Sequence, residues 1–180
     1  MKTTRIKINN IPSIIWGEKS NKVFLAVHGN MSNKEDEVIK ILANKIVSKG
    51  YQLLSFDLPE HGERKDNKEY LCKVQNCVSD LEQIIEYAKV NYDEINLWAC
   101  SMGAYFSLLA YKEENIRNSL FLSPVVDMKV IIDNIMLWSN TTERELEENC
   151  ELSILENGEH YFYTEEQLEY YKNWLDGIVK

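Results

Sequence analysis

No apolar stretch in these 180 residues is long enough to span a bilayer, and Met1-Lys2-Thr3-Thr4-Arg5 leads into no signal-peptide core. The expectation is therefore a cytoplasmic protein with no membrane partner. Basic residues are in the minority: 20 Lys and Arg against 29 Asp and Glu give a net charge of −9. Without a basic footprint, nucleic acid is not an expected partner either. Cys72, Cys77, Cys100 and Cys150 contain no C-x-x-C pair. In a chain with no secretory context they read as free thiols that fill core or surface. Cys100 adjoins a serine of interest, but its place at the end of a buried strand points to packing. His28, His61 and His160 include no pair at a ligand spacing such as H-x-x-x-H, so no metal site is expected. A Gly-rich phosphate loop is missing too, which argues against nucleotide chemistry and leaves no cofactor expected. Nor are there repeats, linkers or low-complexity stretches to divide the chain, and its length suits one domain over residues 1–180.

What is present is an alternation of short apolar runs and helical patterns. Thr4–Ile8 and Ser13–Trp16, joined by a turn at Asn9-Asn10, read as an antiparallel hairpin. Val23–Val27 is a continuous apolar run, the mark of a strand buried on both faces. Ser32 is placed to cap a helix over Asn33–Lys49 that Gly50 stops. Tyr51–Leu58 reads as the next strand, Glu60–Glu69 as a loop and Leu71–Val90 as a long helix. Glu94–Ala99 and Asn118–Leu122 are further strands, with a helix over Ser101–Tyr111 between them. Asp127–Ser139 and Thr142–Asn149 are expected as helices, Glu151–Leu155 as a last strand and Thr164–Ile178 as a last helix. Strands alternating with helices imply an α/β fold: a mostly parallel sheet covered on both sides, in three layers. In such sheets sites lie beyond the carboxyl ends of the strands, and His28, Asp57, Ser101 and His160 all fall at or just after such ends.

The segment Ile95–Ala104 carries the sharpest chemical signal. An apolar run stops at Ser101, with Ala99 and Gly103 two positions either side and a helix to follow. A serine presented on a strand-to-helix turn this tight needs small flanking residues, and the arrangement is that of a nucleophile elbow. Serine needs a base to take its proton, and His160, after the last strand, is the candidate. The plainer reading of His160 is an ordinary loop histidine. His28-Gly29-Asn30-Met31 follows the strand expected beside the elbow, where a backbone amide would hold an oxyanion together with the amide after the nucleophile. The candidates are Asn30 and Met102, with His28 structural. Asp57, in Asp57-Leu58-Pro59-Glu60-His61-Gly62, reads as the side chain that ties its own loop.

Together these motifs resemble the α/β-hydrolase superfamily over nearly the whole chain. They are the His28-Gly29 loop, the Asp57…His61-Gly62 turn, Ala99-Cys100-Ser101-Met102-Gly103 and Gly158-Glu159-His160. Ser123-Pro124-Val125-Val126-Asp127-Met128 and Glu159–Gln167 are similar to a bacterial branch of hydrolases and acyl-ester-type enzymes. Two departures stand out. Ala99 replaces a glycine, which its small size accommodates. The strand that carries the acid in the family is missing between Asp127 and His160, as though an internal piece were removed and the strand number reduced. The resemblance then leaves Asp127 as the substitute acid, and an N-cap for a helix at Met128 as its plainer role.

The resemblance implies a serine hydrolase cleaving a small carboxylic ester or thioester through an acyl-enzyme on Ser101. Its alternative is a catalytically impaired relative kept for binding or assembly, in which apolar surface left by the missing strand would favour a homodimer.

Overall fold

The computed structural model describes residues 1–123 and 164–179. The expected strand at Glu151–Leu155, the helices at Asp127–Ser139 and Thr142–Asn149, and Asp127 and His160 themselves lie outside the described residues. Among the described residues no helix is long and apolar enough to cross a membrane.

Among the described residues six strands form one sheet: β1 (Thr3–Ile8), β2 (Ile11–Trp16), β3 (Lys22–Val27), β4 (Gln52–Phe56), β5 (Glu94–Cys100) and β6 (Ser119–Leu122). Their spatial order is β1-β2-β4-β3-β5-β6. The hairpin β1–β2 turns through Asn9 and Asn10, both at positive φ (46° and 71°), a conformation asparagine tolerates and a right-twisted hairpin prefers. β2 meets β4 antiparallel, and β4, β3, β5 and β6 run parallel.

Four α-helices of the described residues cover the sheet: α1 (Glu37–Ser48), α2 (Val74–Asn91), α3 (Met102–Tyr111) and α4 (Glu165–Ile178). The chain moves one way along the sheet from β3 to β4, then back past β3 to β5 and on to β6. Right-handed crossovers in opposite directions deposit their helices on opposite faces. Accordingly α2 and α3 pack on one face, against Val23, Leu25, Val27, Leu97 and Ala99. On the other, α1 and α4 enclose Phe24, Ala26 and Trp98. The alternation along β3 explains why Val23–Val27 lacks polar residues: both of its faces are core.

The helix termini correct the sequence expectation. α1 starts at Glu37, not Asn33, because Asp36 rather than Ser32 is its cap: the Asp36 carboxylate accepts from the Glu37 amide at 2.8 Å, and the Ser32 hydroxyl donates to Asp36 at 2.6 Å. Its end is as expected. Gly50, at φ 83°, donates to Val47 O, and Tyr51 to Ile46 O, the paired bonds of a Schellman ending. α2 starts at Val74 rather than Leu71. Thr164 caps α4 in a reciprocal capping box with Gln167.

Candidate active site

Four strand ends meet along one edge of the sheet. β3 leads into His28, β4 into Asp57, β5 into Ser101 and β6 into Ser123. β3 and β5 are neighbours in parallel register, with Val27 opposite Ala99, so the His28-Gly29 loop does sit beside the Ser101 turn.

Ser101 joins β5 directly to α3 with φ 49° and ψ −121°, a region that a residue with a Cβ enters only under strain. Such a backbone costs on the order of 1–3 kcal/mol and persists when its surroundings fix it. Here two hydrogen bonds and two close glycine approaches do so. The Ser101 amide donates to Leu122 O of β6 at 3.1 Å, and its carbonyl accepts from the Ala104 amide at 3.0 Å. A Cβ built on Gly103 would stand 2.4 Å from His28 O and 2.6 Å from Val27 O, so α3 presses directly on the end of β3. A Cβ on Gly29 would lie 3.0 Å from Ser101 Cβ and 3.6 Å from Ser101 Oγ. Gly29 thus faces the serine itself. Met102 is the first residue of α3, where helix geometry leaves the amide without an intrahelical partner. Asn30 and Met31 continue the loop from Gly29, both exposed, with Met31 at φ 59°.

His28 is buried beneath this loop. Its Nε2 accepts from the Leu58 amide at 3.1 Å, which leaves the proton on Nδ1 to be donated to Gly29 O at 2.8 Å. Burial lowers its pKa to about 4, and it stays neutral at ordinary pH. The structural role expected of His28 follows: it bolts the β3 loop to the β4 loop.

Asp57 anchors that second loop, as its sequence suggested. It is fully buried and accepts from the Lys34 amide (3.0 Å), the Glu63 amide (3.0 Å) and Lys34 Nζ (2.6 Å). Lys34 Nζ also reaches Glu63 at 2.8 Å. Burial disfavours the Lys34 charge, but its hydrogen bonds to Asp57 and Glu63 outweigh this and leave its pKa raised. Gly62, at φ 52°, is required because a Cβ there would fall 2.2 Å from the Asp57 carboxylate.

Lys34 had no signal in the sequence beyond its charge, since its partner is far away along the chain. His61, in the same loop, stacks at a tilt 5.2 Å from His28 and brings Nε2 within 3.3 Å of Asn30 Oδ1. Cys72, Cys77 and Cys100 are free thiols, as expected, and Cys77 belongs to the core. Cys72 and Cys77 lie with their sulfurs 3.6 Å apart, although C-x₄-C spacing carries no motif. Of the expected site residues, the structure gathers Ser101, Met102 and Asn30 at one sheet edge. Asp127 and His160 fall outside the described residues.

No protein-family model matches the chain, and no curated protein sequence does. Solved structures do. A predicted CIB-like hydrolase from Thermoplasma acidophilum superposes with a TM-score of 0.69 at 15% identity, over 98% of this chain and 97% of that one. Est1E from Butyrivibrio proteoclasticus, solved with ferulic acid bound, gives 0.56 at 18% identity over 73% of this chain. An α/β serine hydrolase without a lid from Xanthomonas campestris gives 0.58 at 14% identity over 68% of this chain. The chain spans 55% of the Butyrivibrio enzyme and 44% of an epoxide hydrolase from Vigna radiata. The six-stranded order, the strained serine between β5 and α3 and these superpositions agree: the chain has the α/β-hydrolase fold.

Proposed function

We propose that the protein is a serine hydrolase that cleaves a carboxylic ester or thioester through an acyl-enzyme on Ser101. The observation that carries this reading is the Ser101 backbone at φ 49°, held between β5 and α3 with the bare face of Gly29 against it. Strain at a serine on the carboxyl edge of a parallel sheet serves to expose its hydroxyl. His160 is the base that takes the Ser101 proton and later returns it to the leaving group. Asp127 is the carboxylate that orients His160. The Met102 amide and the backbone amide at Asn30 receive the oxyanion, and the lack of a side chain on Gly29 leaves room for the substrate carbonyl. The ester preference rests on the chemistry of a serine nucleophile and on the esterases among the superposed structures.

The test is labelling with a fluorophosphonate probe, comparing wild type with Ser101→Ala and His160→Ala. Labelling of wild type that both substitutions abolish supports an activated serine, and Asp127→Asn should then slow labelling severalfold or more. A folded wild-type protein that takes no label overturns the proposal in favour of a binding or assembly role for the fold.

A further inference from the structure

A second reactive cluster lies in the β4–α2 connection, on groups that the ester chemistry does not use. Cys72, just before α2, is half-buried, and Cys77, in the first turns of that helix, is fully buried. Their sulfurs are 3.6 Å apart. The Cys72 amide is fixed by the Glu60 carboxylate at 2.7 Å, which holds the loop against the helix start.

His61 completes the cluster. Nδ1 stands 2.8 Å from Pro59 O, a carbonyl that only accepts, so Nδ1 carries a proton. Nε2 faces Asn30 Oδ1 at 3.3 Å, and His61 and Cys72 act on each other, the ring's pKa being raised by the thiol and the thiol's lowered by the ring. With its second proton the ring is an imidazolium, and a sulfur beside it is best a thiolate.

We propose that Cys72 and Cys77 form a peroxide-oxidisable dithiol, with His61 as the cationic partner of Cys72 and Cys77 as the resolving thiol.

The charges around the pair support the assignment. Hydrogen bonds from Cys77 and then His61 draw the Cys72 thiol down to about 5, against the opposing effects of burial and of Glu60. Cys77 is pushed up by its hydrogen bond to Cys72, by burial and by Asp80, with Arg64 opposing, and so keeps its proton. His61 is raised chiefly by Cys72, with burial opposing and Asp57 adding to the rise. One sulfur is thus ionised and the other protonated, the division of labour that a two-step oxidation requires.

The oxidant is a hydroperoxide, hydrogen peroxide in the simplest case. The Cys72 thiolate attacks one peroxide oxygen, the O–O bond breaks, and the departing hydroxide takes the second proton of His61 to leave as water. Cys72 is then a sulfenic acid and His61 is neutral. His61 next accepts the Cys77 proton, the Cys77 thiolate attacks the Cys72 sulfur, and the S–O bond breaks. The hydroxide leaves with that proton as a second water. Two thiols have lost two electrons, the peroxide has gained them, and a Cys72–Cys77 disulfide remains beside a neutral His61. The inference stands independently of any activity at Ser101.

The reduced full-length protein supplies the test. The alkylation rate of Cys72 by iodoacetamide, followed by peptide mass mapping across pH, should show a midpoint near 5. At pH 6 it should exceed that of an ordinary thiol on the order of ten-fold, once the lower nucleophilicity of a stabilised thiolate is included. Cys100, pushed up to about 12 by burial, is the internal control and should barely react. Stoichiometric hydrogen peroxide should yield a Cys72–Cys77 linked peptide that resists alkylation until reduced. Cys77→Ser should instead stop at a dimedone-trappable sulfenic acid on Cys72, and His61→Gln should move the alkylation midpoint towards the ordinary thiol range. A wild-type midpoint near 8.5, or unlinked Cys72 and Cys77 after peroxide, overturns the proposal without recourse to any variant.

Discussion

The two loops that flank the end of β3 are held by opposite means. The Ser101 turn is fixed by missing atoms: Gly29 and Gly103 bring backbone to within contact, and hydrogen bonds to β6 and α3 complete the clamp. The Asp57 loop is fixed by charge, with a carboxylate and an ammonium, 0% and 3% exposed, satisfying each other and two backbone amides. A turn packed this closely between backbone segments has no room for bulky anchors near it. A supporting loop does, and can use a buried ion pair whose directional bonds set its shape. One region should therefore be sensitive to added atoms and the other to lost charge.

The largest effect should come from the charged loop. Asp57→Ala leaves Lys34 buried with only Glu63 as partner, and loss of about 3–5 kcal/mol in urea unfolding is expected. The double variant Lys34→Met/Asp57→Leu should recover much of that loss. A comparable deficit in the double variant would mean that shape, not charge, holds the loop.

Next in size is a pH effect at the bolt between the two loops. The His28 pKa is lowered to about 4 in the folded protein against an ordinary 6.5. Above pH 6.5 the ring is neutral in both states and costs nothing. As pH falls from 6.5 towards 4 only the unfolded chain takes up the proton, so stability declines across that window by about 3 kcal/mol. His28→Gln should flatten this part of the urea-derived stability profile. An unchanged slope would show that the ring is not held neutral.

The contact-held turn should show smaller losses. Gly103→Ala places a methyl group against two carbonyl oxygens and should cost about 1–3 kcal/mol, together with loss of probe labelling at Ser101. The smallest effect has the opposite sign. Ser101→Gly relieves the positive φ and should raise stability by up to about 1 kcal/mol while abolishing labelling. A destabilised Ser101→Gly would mean that the turn is not strained.

What could be read from the sequence was local. The apolar runs of β3 and β5, the Asn9-Asn10 turn, the Gly50 stop and the small residues around Ser101 each report a constraint within a few positions of themselves. Helix starts were harder because Ser32 and Asp36 compete for one role, and either side chain would cap a helix if placed there. The buried Lys34–Asp57 pair could not be seen because 23 residues separate its members, and lysine is ordinarily a surface residue. The Asp57 loop reading anticipated the acceptor and missed its donor. The free thiols were legible, but the approach of Cys72 to Cys77 was not, because a C-x₄-C spacing closes only when a loop folds back onto a helix start, as it does at Lys73. Cys100, by contrast, packs at the end of its strand as its position implied.

The direction of α4 sets a tether. Tyr171 lies against Trp98 near the end of β5, while Asp176, five residues on, pairs with Lys45 in the last turn of α1. Because α1 runs back from the carboxyl edge of the sheet, its last turn marks the opposite edge. α4 therefore descends, and its Thr164 cap stands at the edge where Ser101 is presented. Ser123, directly after β6, stands at the same edge, one residue beyond the carbonyl that holds the Ser101 amide. Both ends of the intervening stretch are therefore moored at the edge that carries Ser101, one by the parallel strand β6 and the other by the capped start of α4.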